Sequence, residues 1–269
     1  MTNSQNRTIW ILMGVRQALG LFIAPINSST SLDIISISLA LAIGQFIWGL
    51  TQPIFGAIAD KKGSFGVLVF GALLMFFGLI LTPFLTSEFS IILTLGLLVA
   101  AGAGAGSFSI LIGATAKNLP NEKRSFAGGF INAGGSFGQF VFAPLAQAII
   151  NGFGWIYSMI ALAFSTLLTI PLAKILSSKS KKEETNLTNV IENDIKLKEQ
   201  LKVALKDKSY LYLNLGFFTC GFHVAFLVTH LPHEVALCGH SANVSAYSLA
   251  LIGLFNIFGS LYAGYLGTK

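Results

Sequence analysis

Charge is the scarcest property of this chain. Of its 269 residues, 10% are Asp, Glu, Lys or Arg, where a soluble domain carries about 25%. A water-facing surface of ordinary extent cannot be built from so little. Cysteine is almost absent as well: Cys220 and Cys238 fit neither a disulfide framework nor a paired metal motif, and they say little about compartment. The material that remains is apolar. Hydrophobic residues make up 54% of the chain and the mean hydropathy is +0.73, while 28 glycines and 23 phenylalanines suit helices whose backbones approach closely in lipid. The composition is that of an all-α polytopic membrane protein. A net charge of +6 would point to nucleic acid in a soluble chain, but here the basic residues stand in the gaps between apolar runs, where they act as topology signals. No nucleic-acid partner is expected.

A bilayer core takes about 20 apolar residues per helix. Eight such runs are present, near 9–26, 35–59, 66–85, 89–115, 126–150, 154–175, 210–231 and 245–266. The first is not a signal peptide: Arg16 and Gln17 interrupt it and no small-x-small cleavage site closes it. With a cytoplasmic N-terminus, 16 of the 17 Lys and Arg residues fall in or at the boundary of the tail, 60–65, 116–125, 176–209 or the C-terminus, and the segments on the other side hold none. That asymmetry predicts a multi-pass protein of the cell's inner (cytoplasmic) membrane with its N-terminus inside. Trp10 and Trp155 fall at helix ends, where indole favours the headgroup level. Trp48 lies mid-helix and needs another explanation.

The longest connection separates six helices from two. Its Leu187, Val190, Ile191, Ile195, Leu201 and Leu205 recur at helical spacing among charges, so 177–209 reads as a cytoplasmic linker with an amphipathic surface helix, or as a plain solvated linker. Past the linker, the chain echoes its own start. "GVRQALGLFIAP" from Gly14 is answered by "GFHVAFLVTHLP" from Gly221, "SLALAIG" from Ser38 by "SLALIG" from Ser248, and "GAIADK" from Gly56 by "GYLGTK" from Gly264. Three matches in one order at nearly one offset argue for an internal duplication. The organisation expected is a six-helix N-terminal bundle over 1–176 and, over 210–269, the first two helices of a second bundle. That last pair should be the least supported part of the fold.

Between the second and third runs the chain writes "GAIADKKGSFG", Gly56 to Gly66. This resembles the signature loop of the major facilitator superfamily. Gly56, Asp60, Lys61 and Gly63 match the pattern, whereas Ser64 and Phe65 stand where the family usually has basic residues. The resemblance implies a gating role for these four: Gly56 admits a helix of the other half, Asp60 faces a helix N-terminus, where a carboxylate gains from the dipole, and Gly63 makes the tight turn. It also implies twelve helices, and this sequence stops after the eighth, as a fragment or truncation would.

Polar groups inside the apolar runs carry the substrate reading. Arg16 lies about 9–10 Å deep at 1.5 Å per residue. A guanidinium there costs about 2.5–3.5 kcal/mol on insertion scales, so it faces a watery cavity or a counter-ion unless it snorkels to the headgroups. Asp33, Glu88 and Glu234 lie at outer helix ends and Asp60 at an inner one, which leaves an external anion as the natural partner of Arg16. Stripes of Ser38, Gln45, Trp48 and Gln52 on the second helix, and of Asn132, Ser136, Gln139 and Gln147 on the fifth, either line the same cavity or bond neighbouring helices. The duplication sets His223 opposite Arg16, either buried and bonded to a hydroxyl or lining the cavity, where imidazole suits proton coupling.

"GVRQALGLF" with "GFFTCGFHVAFLVTHLP" looks like the bacterial monocarboxylate and oxalate–formate porter branch, and the fourth helix lacks the arginine of many drug exporters of the superfamily. The resemblance implies a secondary active transporter, not an enzyme, monomeric and without cofactor or metal, that moves a small organic anion with protons or by exchange. The expected substrate-binding residues are Arg16, Gln45, Trp48, Gln52, Asn132 and Gln139, with His223 coupling the proton. Two alternatives stand beside this: an inactive transporter remnant, and an enzyme or sensor holding zinc among His230, His233, Glu234, Cys238 and His240, whose spacing matches no standard pattern.

Overall fold

The computed structural model describes residues 3–85, 87–107, 110, 120–174 and 203–268. Eight helices in it are long and apolar enough to cross a bilayer: α1 (Trp10–Ser29), α2 (Ile34–Lys62), α3 (Ser64–Phe84), α4 (Glu88–Ala105), α5 (Lys123–Phe153), α6 (Trp155–Lys174), α7 (Lys208–Leu237) and α8 (Ala242–Leu266). No strand occurs among the described residues. Each span expected from hydropathy is met, because an apolar run in lipid must satisfy its own backbone and a helix is the way one segment does so.

Local chemistry explains the departures from regular helix. In α1 a 3-10 turn, Leu19–Phe22, separates Asn3–Gln17 from Ile23–Ser29. Pro25 has no N–H to return to Leu21, and the chain tightens there, the Leu21 N–H reaching Ala18 at 3.1 Å. α2 ends at Gly63, whose φ of 84° suits a residue without Cβ, and its N–H closes on the Ala59 carbonyl at 2.9 Å. α4 contains a π-helical stretch, Ile92–Val99. Hydropathy carries the fourth run to 115, but regular helix ends at Ala105; beyond it only Gly106, Ser107 and Ile110 are described before Pro120. Pro232 predicts a stop in α7, and the helix instead continues to Leu237. One proline removes one hydrogen bond, which a membrane helix tolerates. The amphipathic linker helix lies, but for residues 203–209, outside the described residues.

Packing is led by small residues. α1 crosses α5 where Gly14 meets Gly138; a Cβ on Gly14 would stand 2.7 Å from the Gly138 carbonyl carbon, and one on Gly138 would strike the Trp10 carbonyl oxygen. α2 lies on α4, α3 on α4 and α6, and α5 on α6. The core so enclosed holds Leu12, Val15, Phe22, Met75, Leu79 and Met159, all buried. Trp10 opens the α1 span, one helical turn and more beyond the start of the helix at Asn3, and its ring packs on Phe137 at 4.5 Å between centroids.

The last two helices fare unequally. α8 docks along the length of α5, with Gly253 against the Ser136 carbonyl and Gly264 against Gly129. α7 is the least buried span, with 6% of its apolar window covered. It is held by Val228 and Thr229 against the 3-10 turn of α1 and by its contact with α8, where Ser245 Oγ donates to the Pro232 carbonyl at 3.3 Å.

Candidate functional site

Arg16 stands at the end of the first helical segment of α1, just before the chain tightens toward its 3-10 turn. Facing it, Gln45 and Trp48 are three apart on α2 and so share one face. The Arg16 Nη2 donates to Gln45 Oε1, and its Cζ lies 3.8 Å from the centroid of the Trp48 ring. A desolvated cation–π contact is worth about 2 kcal/mol, and a hydrogen bond to a charged group about 1.5–3 kcal/mol. Together they offset an insertion cost of about 2.5–3.5 kcal/mol. The mid-helix tryptophan is thereby explained as the platform of the guanidinium.

Both partners are neutral. Among the described residues no carboxylate pairs with Arg16, so its hydrogen bonding is partly met and its charge is not. Of five guanidinium N–H donors, Gln45 takes one. Beside Arg16 lies a cavity of about 30 Å³ lined by Leu19 and Gly20 of α1, Leu41, Gly44 and Gln45 of α2, Leu95, Val99 and Ala100 of α4, and Val228 and Thr229 of α7. That is room for about one water. The π-helical stretch of α4 supplies Leu95 and Val99 to this wall, and wide turns of this kind recur at functional sites.

The other expected substrate residues lie elsewhere. Gln52 is half-buried, two turns from Gln45 along α2. Asn132 and Gln139 sit in the α5–α8 seam. Asn132 Nδ2 donates to Ser260 Oγ at 2.7 Å, Asn256 Nδ2 donates to Ser136 Oγ at 2.8 Å, and Gln147 donates to Asn151, which donates to Asn243, each at 2.8 Å. The Gln139 side chain is buried against Gly253, its Nε2 without a partner among the described residues. Asn132 and Ser136 of the α5 stripe thus bond α8, where lipid offers no hydrophobic drive and such bonds contribute instead.

His223 is exposed on α7, and its Nδ1 lies 2.7 Å from the Thr219 carbonyl of its own helix. A carbonyl only accepts, so the hydrogen is on Nδ1 and the Nε2 lone pair is left to take a proton. In the α2–α3 turn Asp60, Lys61 and Gly63 are exposed. No atom comes within 4 Å of a Cβ built on Gly56, so among the described residues the helix approach implied there is not made. The alternative zinc set is not assembled: among the described residues no three of His, Cys, Asp and Glu are grouped to hold a metal.

Sequence reasoning missed Leu41, Gly44, Leu95, Val99, Val228 and Thr229. The duplication carried a signal for the last two, since aligning Pro25 with Pro232 aligns Leu21 and Phe22, in the 3-10 turn, with Val228 and Thr229. The wall of α4 gave no signal, because Leu, Val and Ala in an apolar run face lipid or cavity alike.

The comparisons with known proteins agree with this architecture. Monocarboxylate transporter 13 of Rattus norvegicus is 24% identical over 264 residues, 96% of this chain and 58% of that protein. The oxalate:formate antiporter of Oxalobacter formigenes is 24% identical over 251 residues, 91% of this chain and 57% of that protein. The MFS transporter asaE of Aspergillus flavus is 23% identical over 219 residues, 81% of this chain and 47% of that protein. The chain thus spans about half the length of these curated relatives. The family model of the major facilitator superfamily matches residues 8–269, and the eight apolar helices, the Gly63 turn and Arg16 at membrane depth accord with it: this chain belongs to the major facilitator superfamily.

Proposed function

We propose that this chain is the part of a secondary transporter that binds a small organic monoanion, with Arg16 as the binding group, and that it works by alternating access. The observation that carries the reading is a guanidinium at membrane depth with neutral partners, beside a cavity walled by four helices. An incoming carboxylate supplies the missing charge and takes donors that Gln45 leaves over, in the bidentate geometry a planar fork prefers. Monocarboxylate and oxalate–formate transporters among the relatives support an anion as cargo. The cavity holds about one water as it stands, so loading requires one wall to withdraw, and α7, the least buried helix, is the wall with least to lose.

His223 is the proposed proton carrier, protonated at Nε2, and Gly56, Asp60, Lys61 and Gly63 the proposed gate at the lysine-bearing, cytoplasmic end. The functional unit is proposed to be a monomer in the inner membrane. The test is binding of labelled acetate, formate and oxalate to the chain in lipid nanodiscs, against neutral and cationic solutes. Arg16→Ala should abolish anion binding. Anion binding undiminished in that variant, or a preference for cations, would remove the reading and leave the family alone standing. In proteoliposomes Asp60→Asn should slow turnover with affinity unchanged, and His223→Gln should leave uptake unresponsive to an imposed proton gradient.

A further inference from the structure

A second cleft, of about 440 Å³, opens between the end of α5 and the start of α8, and Arg16 has no part in it. Its volume lies within the range of about 300–1,000 Å³ usual for small-molecule sites. Pro144, Ala148, Gly152 and Ala246 give it apolar walls, and Gln147, Asn151, Asn243 and Tyr247 give it polar groups. The three amides are linked in one direction: Gln147 Nε2 donates to Asn151 Oδ1 and Asn151 Nδ2 donates to Asn243 Oδ1, each at 2.8 Å. Such a chain leaves an acceptor at one end, Gln147 Oε1, and a donor at the other, Asn243 Nδ2. Turning all three amides over exchanges the ends and keeps one of each. Gln147 is only 3% exposed, and its Oε1 has no partner among the described residues. The unpaired side-chain atoms sealed from solvent there are Trp10 Nε1, Trp48 Nε1, Ser107 Oγ and Gln139 Nε2. Gln147 Oε1 is not one of them, so it keeps an opening to solvent, and the cleft is the opening that Gln147 lines.

We propose that this cleft binds a neutral ring bearing several hydroxyls, as a sugar or the headgroup of a glycosylated lipid does. Among the described residues that line it none is charged, so an ion would find no counter-charge there. A hydroxyl both donates and accepts. One hydroxyl of the ring donates to Gln147 Oε1 and another accepts from Asn243 Nδ2, which completes the amide chain at both ends. Pro144 and the exposed Tyr247 offer apolar surface to the C–H face of the same ring, while the Tyr247 hydroxyl can stay wet. α5 ends here at Phe153 and α8 begins at Ala242, which puts the cleft at the boundary of the bilayer, within reach of water and of lipid headgroups alike.

The experiment is equilibrium binding of methyl β-glucoside to the full chain in phosphatidylcholine nanodiscs, read by saturation-transfer NMR, with tetrahydropyran, the same ring stripped of its hydroxyls, as the control. The glucoside should bind and tetrahydropyran should not. Gln147→Met keeps the side-chain length and drops the acceptor, and Asn243→Ala removes the donor from an exposed position that the core does not need. Each should weaken the glucoside about tenfold, as the loss of one hydrogen bond does. Nanodiscs doped with glucosyl diacylglycerol separate the two sources, with retention of the lipid read by native mass spectrometry. Displacement of the glucoside by that lipid, or retention of the lipid alone, makes the occupant a headgroup; a glucoside that the lipid leaves in place makes it a free sugar, and either result supports the site. Tetrahydropyran binding as tightly as the glucoside, an affinity unmoved in both variants, or no binding of glucoside and no retention of lipid would each overturn the proposal. So would displacement of the glucoside by acetate, which would seat it at Arg16.

Discussion

Arg16, Gln45 and Trp48 form a unit in which each residue answers a different need of one charge held at membrane depth. Gln45 meets a donor, the Trp48 ring face meets the cation electrostatically, and neither neutralises it. Arg16→Lys keeps the charge but loses the planar fork; with about 1.5–3 kcal/mol at stake in a charge-assisted contact, anion affinity should fall about 10- to 100-fold in the nanodisc assay. Parent-like affinity would mean that a point charge suffices and bidentate recognition is absent. Trp48→Leu removes up to about 2 kcal/mol of cation–π attraction and should lower the thermal midpoint of the detergent-solubilised chain. An unchanged midpoint would show that the stack contributes nothing to holding Arg16.

Two helix seams show different means of association. Where α1 crosses α5, Gly14 and Gly138 bring the backbones together, and a Cβ on Gly138 would strike the Trp10 carbonyl oxygen. Gly138→Ala should therefore cost about 1–3 kcal/mol by overpacking. Along α5 and α8 the polar pairs Asn132–Ser260 and Ser136–Asn256 add to the small-residue contact, and membrane hydrogen bonds average only about 0.6 kcal/mol. Asn132→Leu should be the milder change, by a factor of about three. Unfolding of both variants in mixed micelles gives the comparison, and a reversed order would mean that the polar pairs, not the close crossing, hold α5 in place.

Taken across the fold, cohesion is uneven. α1 lies at the centre, α8 is bound along α5, and α7 touches its neighbours chiefly through Val228, Thr229 and Pro232. Few buried contacts mean a low free energy of local opening. Peptides from 210–227 should exchange amide hydrogen faster than peptides from 245–264 when exchange in the detergent-solubilised chain is read by mass spectrometry; equal protection would show α7 to be as firmly held as α8. The expectation that the final pair is the least supported part of the fold thus gains a distinction between its two helices. α8 carries Ser, Asn and Gly at the spacing that fits the α5 face, whereas the exposed face of α7 carries Tyr212, Phe217, Phe218 and Phe222, which block close approach.

Part of this architecture is legible in the sequence alone. Span positions come from apolar length and from the demand that each segment satisfy its own backbone, both properties of consecutive residues. The Gly63 turn and Arg16 several residues inside an apolar run can be read the same way. Which face of a helix meets which neighbour cannot. The stripes on α2 and α5 look equivalent in sequence, yet Gln45 and Trp48 turn to Arg16 while Asn132 and Ser136 turn to α8. A periodicity specifies that a polar face exists and leaves its rotation to the packing of the other helices. The Val228 carbonyl is a sharper case: Pro232 announces in the sequence that an acceptor is set free, but only the fold shows that this oxygen packs on Gly20, from the opposite end of the chain.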